Sequence, residues 1–130
     1  MWAGERYSSG SSAIQAAGLD PGIGVLHGIR YGRPSLGLDL VEEFRTPVAE
    51  RLAVKLLTLR AVEFAGMPEG VTTLPEATLK RYFEYYEHQM TRPIKARYPP
   101  TPLRQAIHKQ AGELASYVRG GASYVPFYYR

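Results

Sequence analysis

A single histidine, His27, lies in a glycine-rich stretch shortly before an acidic cluster. Asp39, Glu42 and Glu43 are spaced by three and four residues, which places their carboxylates on one side of a helix. An imidazole nitrogen with one or two carboxylate oxygens suits Mn²⁺ or Mg²⁺, hard ions that take the rest of their shell from water and phosphate oxygens. The pattern therefore predicts a divalent-metal site that joins His27 to one or two of these carboxylates.

Arginines flank the candidate ligands on both sides. Arg30 and Arg33 follow His27 closely, and Arg45 lies one turn beyond Glu42. Their guanidinium groups could bind phosphate oxygens that the carboxylates would repel, which favours a phosphate-containing substrate. The alternative is a solvated helix face with compensating arginines, beside a loop histidine bonded to local backbone. The residue pattern by itself leaves both interpretations open.

The composition limits what kind of protein can hold such a site. At 130 residues the chain has the length of one globular domain. The absence of cysteine excludes disulfides, thiolate zinc sites and cysteine nucleophiles. A net charge of +4 favours a polyanionic partner without requiring one. The N-terminal residues MWAGERYSSGSS have no apolar stretch that could serve as a signal peptide, and charged residues interrupt the most apolar segment, 52–67, so we expect no membrane span. Together with the lack of cysteine, this predicts a cytoplasmic protein.

Helix signals surround the histidine-bearing loop. A short helix capped by Ser11 or Ser12 is expected to end at Gly18, and the glycines and proline that follow keep the next stretch irregular. Ser35 is a good N-cap for a helix that runs to about residue 45. The loop is therefore expected to connect two helices, with the acidic cluster on the second.

Helix-starting and helix-breaking residues later in the chain predict further helices. Thr46-Pro47 restarts a helix to about residue 62, and later helices span residues 75–90 and about 102–119. The connection GMPEGVTTL, residues 66–74, is rich in turn residues and could form a short hairpin. The fold class predicted is mainly α: a single helical bundle domain with an irregular glycine-rich loop and an aromatic C-terminal tail.

Apolar spacing predicts which faces these helices bury. The helix after Thr46-Pro47 is apolar on most sides, which is typical of a helix at the centre of a bundle. The next two helices each carry one apolar stripe. We expect the tail to pack against its own bundle, with stacking on DNA bases as the alternative. The predicted core comprises Val48, Leu52, Val54, Leu56, Leu57 and Leu59, then Leu79, Phe83, Tyr86 and Met90, then Leu103, Ala106, Ile107, Leu114 and Val118, and in the tail Tyr124, Phe127 and Tyr128.

A long stretch of the sequence resembles a known family. Residues 17–52, AGLDPGIGVLHGIRYGRPSLGLDLVEEFRTPVAERL, are similar to the helical domain of the CRISPR-associated spacer-acquisition integrase/endonuclease family. In that family a GLDP..G.LH loop is followed by GR.SL.LDL.EEFRP..VDRL. Residues 82–90, YFEYYEHQM, and 111–130, AGELASYVRGGASYVPFYYR, resemble the family's late helix and its closing helix and tail more weakly. The resemblance covers nearly the whole chain from Ala13 onward.

The resemblance implies a role for each candidate residue. His27, Asp39 and Glu42 match the family's metal and catalytic site, whereas Glu43 is interpreted as a structural or electrostatic neighbour. The implied cofactor is Mg²⁺ or Mn²⁺. The implied reaction is attack of a protospacer 3′-hydroxyl on a phosphodiester of the CRISPR repeat, assisted by the ion and without a protein nucleophile. The candidate DNA-binding residues are Arg30, Arg33 and Arg45.

The resemblance also implies partners and a domain arrangement. The expected partners are DNA, as protospacer and CRISPR repeat, a small ferredoxin-like adaptation protein, and a second copy in a homodimer of full-length members. Residues 1–12 are expected to form an irregular segment, and residues 13–130 the helical catalytic-type domain. Complete members begin with a β-rich domain, then a helix that supplies one more glutamate to the metal. We therefore expect a truncated or split member with an incomplete metal site, inactive alone.

Two other classes of function compete with this interpretation. A non-catalytic helical module for DNA docking or assembly would use basic residues on phosphates. Recombination by a tyrosine nucleophile is disfavoured, because the ten tyrosines lack a clear Arg-His-Arg setting and the carboxylate cluster would be left unexplained. The basic residues of the docking alternative are Arg30, Arg33, Lys80, Arg81 and Lys109.

Overall fold

A computed structural model of the protein describes residues 2–60, 75–94 and 98–128, with side chains described from Ser9 onward. The fold is mainly α, as predicted. The helices are α1 Trp2–Ala16, α2 Ser35–Glu43, a π-helical segment Arg45–Glu50, α3 Arg51–Thr58, α4 Glu76–Thr91 and α5 Leu103–Val118. Two short antiparallel strands, β1 Pro93–Ile94 and β2 Thr101–Pro102, pair Pro93 with Pro102 and Ile94 with Thr101. The possible hairpin over 66–74 lies outside the described residues.

Helix α1 corrects the prediction for the start of the chain. Residues 2–12 were expected to be irregular, yet the helix begins at Trp2 and ends at Ala16. Glycine and serine have low helix propensity, which hides the helix in the sequence. The same small residues allow close packing: a Cβ at Gly10 would come within 2.8 Å of the Gly37 carbonyl oxygen in α2. Tertiary packing on α2 therefore offsets the weak local preference.

The helix starts also differ in detail from the prediction. Ser35 is the first residue of α2 rather than its cap, and its hydroxyl donates a hydrogen bond to the Gly28 carbonyl oxygen at 2.9 Å. The restart at Thr46-Pro47 lies within the π-helical segment that leads into α3. Because Pro47 has no amide hydrogen, it cannot make an ordinary helical bond there, and the backbone widens locally.

The core forms where α1, α2, α4 and α5 face one another, together with one side of α3. The expected central position of α3 is wrong within the described part of the chain, because Val54, Leu57 and Leu59 are exposed. Val118 is exposed as well, and Leu79 and Phe83 of α4 are only partly buried, whereas their neighbour Tyr82 is buried together with Tyr86. The other predicted core residues of these helices are buried as expected. The buried residues include Ile14, Leu36, Leu40, Phe44, Leu52, Leu56, Tyr86, Met90, Leu103, Ile107, Ala111 and Leu114. No described helix is long and apolar enough to cross a membrane.

The aromatic tail docks on the bundle, as predicted for Tyr124 and Phe127. Phe127 is buried and stacks on Phe44, with ring centroids 4.4 Å apart. The Glu43 carboxylate accepts hydrogen bonds from the Tyr124 hydroxyl and, at 2.7 Å, from the Phe127 amide. Burial and the adjacent Glu43 carboxylate raise the pKa of Tyr124. Tyr128 remains exposed, so the predicted packing fails at that residue.

The Tyr124 hydroxyl should contribute to stability through Glu43. We expect Tyr124→Phe to lower the free energy of unfolding by about 1 kcal/mol, the typical cost of one lost hydrogen bond, because the partly buried carboxylate loses a donor. Tyr31→Phe is the matched control, since Tyr31 is fully exposed and should change stability little. Urea denaturation of both variants measures the effect, and equal stability of the two would contradict this role for the tail.

Candidate functional site

The site is organised by the side chain of Asp39. This residue lies in α2 and is only 9% exposed. One carboxylate oxygen accepts hydrogen bonds from the amides of Val25 and Leu26, at 2.6 and 3.0 Å. The other accepts the amide of His27 at 3.0 Å and lies 2.5 Å from the His27 ring nitrogen Nδ1. One side chain therefore holds three consecutive backbone amides and the imidazole.

Local sequence allows the loop to wrap this closely around Asp39. Gly24 lies where a Cβ would come within 2.5 Å of the His27 carbonyl oxygen and 2.6 Å of the Ser35 Cβ, so a larger residue would displace the loop. The bond from the Ser35 hydroxyl to Gly28 ties the loop to the first turn of α2. At the other end, the Leu36 amide donates to the Pro21 carbonyl oxygen at 2.7 Å. The loop is thus fixed at both ends and at its middle.

The electrostatics of Asp39 favour its charged form. Burial raises the pKa of this carboxyl, but the hydrogen bonds from His27 and from the three loop amides outweigh burial and leave the pKa below its ordinary value. Four donors converge on a single carboxylate, which is the arrangement that stabilises a buried negative charge. Asp39 is therefore an anion around which the loop folds.

The hydrogen bond to Asp39 sets the orientation of the His27 ring. With Nδ1 on the carboxylate, the lone pair that remains for other chemistry is that of Nε2. A carboxylate that accepts one ring N–H fixes the tautomer and raises the basicity of the other nitrogen, which is how metal-binding histidines are commonly held. The predicted proximity of His27 and Asp39 is present in the structure.

The three carboxylates of α2 do not share one ligand cluster. Glu42 is half-exposed, and one of its oxygens lies 3.6 Å from Arg45 Nη1. Glu43 binds the aromatic tail, consistent with the structural role expected for it. Within the described residues, no group of three or more His, Asp or Glu side chains is arranged to hold a metal ion. The reason is local: loop amides occupy Asp39 and the tail occupies Glu43, which leaves Glu42 facing solvent.

The predicted phosphate-binding arginines differ in their surroundings. Arg30 is exposed and Arg33 partly buried, and neither forms an ion pair with a described residue. Arg45 lies 3.6 Å from a carboxylate oxygen of Glu42 and, through Nε, 3.6 Å from Glu50. These exposed contacts are weak and solvent-screened, so Arg45 can exchange them for another anion. A role of the three arginines in phosphate binding remains a prediction.

Several hydrogen-bonding groups of the site were not predicted from the sequence. The amides of Val25 and Leu26 donate to Asp39, and the hydroxyl of Ser35 holds the loop carbonyl of Gly28. Backbone donors have no residue-type signature, so no motif could have revealed the first pair. The signal for Ser35 was its position before an apolar run, which indicates a helix cap equally well.

The Asp39 carboxylate should be indispensable to the loop. We expect Asp39→Asn to cost about 2–3 kcal/mol of unfolding free energy, because the amide replaces an acceptor oxygen by a donor and removes the charge. The same variant should shift the NMR amide signals of Val25, Leu26 and His27. Glu42→Gln, on the same helix but exposed, is the control and should stay within about 0.5 kcal/mol of the parent. An unperturbed loop in Asp39→Asn would contradict the assignment.

The acid sensitivity of the loop should follow the direction of the Asp39 pKa. Because the folded pKa is lowered, the stabilisation is complete above the ordinary carboxyl value of 3.8 and is lost as the pH falls below it through the folded pKa. We expect the amide signals of Val25 and Leu26 to hold their folded positions on acidification until the pH passes below that value. Loss of these signals at a higher pH, while α5 remains folded, would show that another group controls the loop.

Comparison with known proteins places this arrangement in a family. The family model described as "CRISPR associated protein Cas1" matches residues 6–88, more than half of the chain. A CRISPR-associated endonuclease Cas1 from Moorella thermoacetica is 39% identical over 127 residues, which covers 92% of this chain and 36% of that protein. A second, from Chlorobaculum tepidum, is 35% identical with the same coverage. The chain spans about a third of the length of these relatives.

Solved structures agree with the sequence relatives. A CAS1 protein from Thermotoga maritima superposes with a TM-score of 0.80 at 26% identity, covering 88% of this chain and 36% of that one. A casposase bound to integration product has a TM-score of 0.76 at 21% identity, a likeness of fold alone. The family motif lies on the loop and helix that join His27 to Asp39, so sequence, fold and local geometry agree: the chain belongs to the CRISPR-associated Cas1 family.

Proposed function

We propose that this chain forms the histidine-bearing helical part of a metal-dependent DNA endonuclease and integrase that inserts spacers into a CRISPR array. The observation that carries the proposal is the His27–Asp39 pair, because a charged, buried carboxylate is used to hold one imidazole in one orientation. The curated relatives are named endonucleases, and the casposase of similar fold was solved bound to its integration product. Both names support a role in cutting and joining DNA.

The residues present fit part of a site for Mg²⁺ or Mn²⁺. His27 offers Nε2, and Glu42 offers an exposed carboxylate one helical turn beyond Asp39. Asp39 was predicted as a ligand, but its oxygens already accept three amides and Nδ1, so we assign it the orientation of His27. When bound, such an ion would polarise a phosphodiester and offset charge on its oxygens. The remaining coordination is left to water, DNA and protein groups outside this chain.

Arg30, Arg33 and Arg45 are proposed to hold the phosphate backbone near this centre. The first two lie in the same loop as His27, and Arg45 is adjacent to Glu42 across a weak ion pair. Guanidinium groups bind phosphate in a bidentate manner and offset the negative charge of the neighbouring carboxylates. DNA affinity would therefore depend on the arginines, and reactivity on His27 and Glu42.

The further partners follow from the family and remain proposals. They are a protospacer and a CRISPR repeat as DNA substrates, a small ferredoxin-like adaptation protein, and a second copy of a full-length protein. A non-catalytic DNA-binding or assembly module is the second candidate function. It is favoured by one observation, namely that the described residues contain no three-membered group of metal ligands. Metal-dependent chemistry separates the two candidates.

The test compares this chain with a chimera, defined as the Moorella thermoacetica relative in which this chain replaces the stretch that it matches. We expect the chain alone to bind Mn²⁺ weakly in calorimetry and to join no DNA ends, because two protein ligands hold a hard ion poorly. The chimera should bind Mn²⁺ more tightly and join a protospacer to a supercoiled CRISPR target. Efficient joining by the chain alone, or none by the chimera, would contradict the proposal.

Point variants of the chimera should separate binding from chemistry. His27→Ala and Glu42→Ala should abolish joining yet leave duplex affinity nearly unchanged, because the arginine contacts do not depend on the metal. Glu84→Ala, an exposed glutamate of α4, is the matched control and should join normally. Arg33→Ala should weaken duplex binding and reduce its salt slope by about one while Mn²⁺ affinity is kept. Loss of duplex affinity in His27→Ala would favour the binding-module alternative.

A further inference from the structure

The loop that holds His27 presents an unusual surface. Ile23, Val25, Leu26, Ile29 and Tyr31 all lie within nine residues, and each is at least 58% exposed. Single exposed apolar residues are ordinary on a protein surface, but a run of five large ones is typical of a surface that another molecule covers. We call these five residues the loop patch.

The loop patch is displayed by a fixed backbone. The amides of Val25 and Leu26 donate hydrogen bonds to Asp39, yet the side chains of the same two residues are 77% and 81% exposed. At these two positions the loop engages its backbone amides and exposes its apolar side chains. The bonds from the Ser35 hydroxyl to Gly28 and from the Leu36 amide to Pro21 tie the loop to α2 at its middle and near its start. A prearranged apolar surface loses little conformational entropy when a partner binds.

We propose that the loop patch is the docking surface for the portion of a Cas1 protein that this chain does not span. Relatives match 92% of this chain, but the match covers only 36% of their own length, so most of each relative lies outside the stretch that this chain matches. The patch lies beside His27, so the segment that covers it comes next to the ring whose Nε2 is free of Asp39. This inference rests on the proposed function and deepens it.

The composition of the loop patch favours a protein segment over nucleic acid as the molecule that covers it. Four of its five residues are aliphatic, whereas surfaces that bind single-stranded nucleic acid use aromatic rings for stacking. Arg30 and Arg33 border the patch without an ion pair to a described residue. The covering segment is therefore apolar where it meets these side chains, and Arg30 and Arg33 at the border stay available for phosphate.

Cysteine reactivity tests the proposal directly, because the chain contains no cysteine of its own. Leu26→Cys should react rapidly with a maleimide in the 130-residue chain and at least tenfold more slowly in the chimera, with modified peptides identified by mass spectrometry. Leu57→Cys on the exposed side of α3 is the matched control and should react at similar rates in both proteins. If the chimera does not fold, the same comparison is made in the intact Moorella thermoacetica relative, with cysteine at the positions aligned to Leu26 and Leu57.

Each alternative molecule that could cover the loop patch would give a different labelling result. Equal reactivity of Leu26→Cys in the chain and in the longer protein would overturn the proposal. Protection in the chain alone that rises with its concentration would assign the patch to a second copy, and protection only after addition of duplex DNA would assign it to nucleic acid; both overturn it. Maleimide labelling requires neither metal nor DNA joining. The docking proposal can therefore fail in a chimera that still joins DNA, and DNA joining can fail in a chimera whose loop patch is covered.

Discussion

The charge of Asp39 is the constraint on which the candidate site depends. A carboxylate this deeply placed is tolerated because four donors converge on it: three successive loop amides and the imidazole of His27. The same four bonds give an irregular loop a single conformation without regular secondary structure. The loop conformation and the orientation of His27 therefore depend on the same four hydrogen bonds to the charged Asp39 carboxylate.

Helix α2 connects this loop to the opposite end of the chain. Asp39 binds the loop, and Glu43, one turn later, binds the aromatic tail through Tyr124 and the Phe127 amide. Between them Glu42 is left exposed beside Arg45. The three acidic residues of α2 thus have different roles: Asp39 and Glu43 fix the helix between loop and tail, and Glu42 stays exposed. This division explains why no three His, Asp or Glu side chains of the described residues come together to hold a metal ion.

Sequence patterns predicted the mainly α fold, the positions of α2, α4 and α5 to within a few residues, and the pairing of His27 with Asp39. They did not predict the first ten residues of α1, because a helix rich in glycine and serine depends on close packing against Gly37 for its stability. Nor could spacing show that the carboxylates of Asp39 and Glu43 are already engaged. The partners of these carboxylates are backbone amides and a tail far away in the sequence, and neither produces a periodic pattern of residue types.

The tautomer of the neutral His27 ring shows whether Asp39 orients this side chain. Long-range proton–nitrogen NMR correlations distinguish the two ring nitrogens and show which one carries hydrogen when the ring is neutral. We expect a proton on Nδ1, directed at Asp39, and an unprotonated Nε2 with its lone pair free. Asp39→Asn should alter the ring's tautomeric balance. A neutral ring protonated on Nε2, with Nδ1 bare beside Asp39, would contradict the claim that Asp39 prepares His27 to act as a ligand.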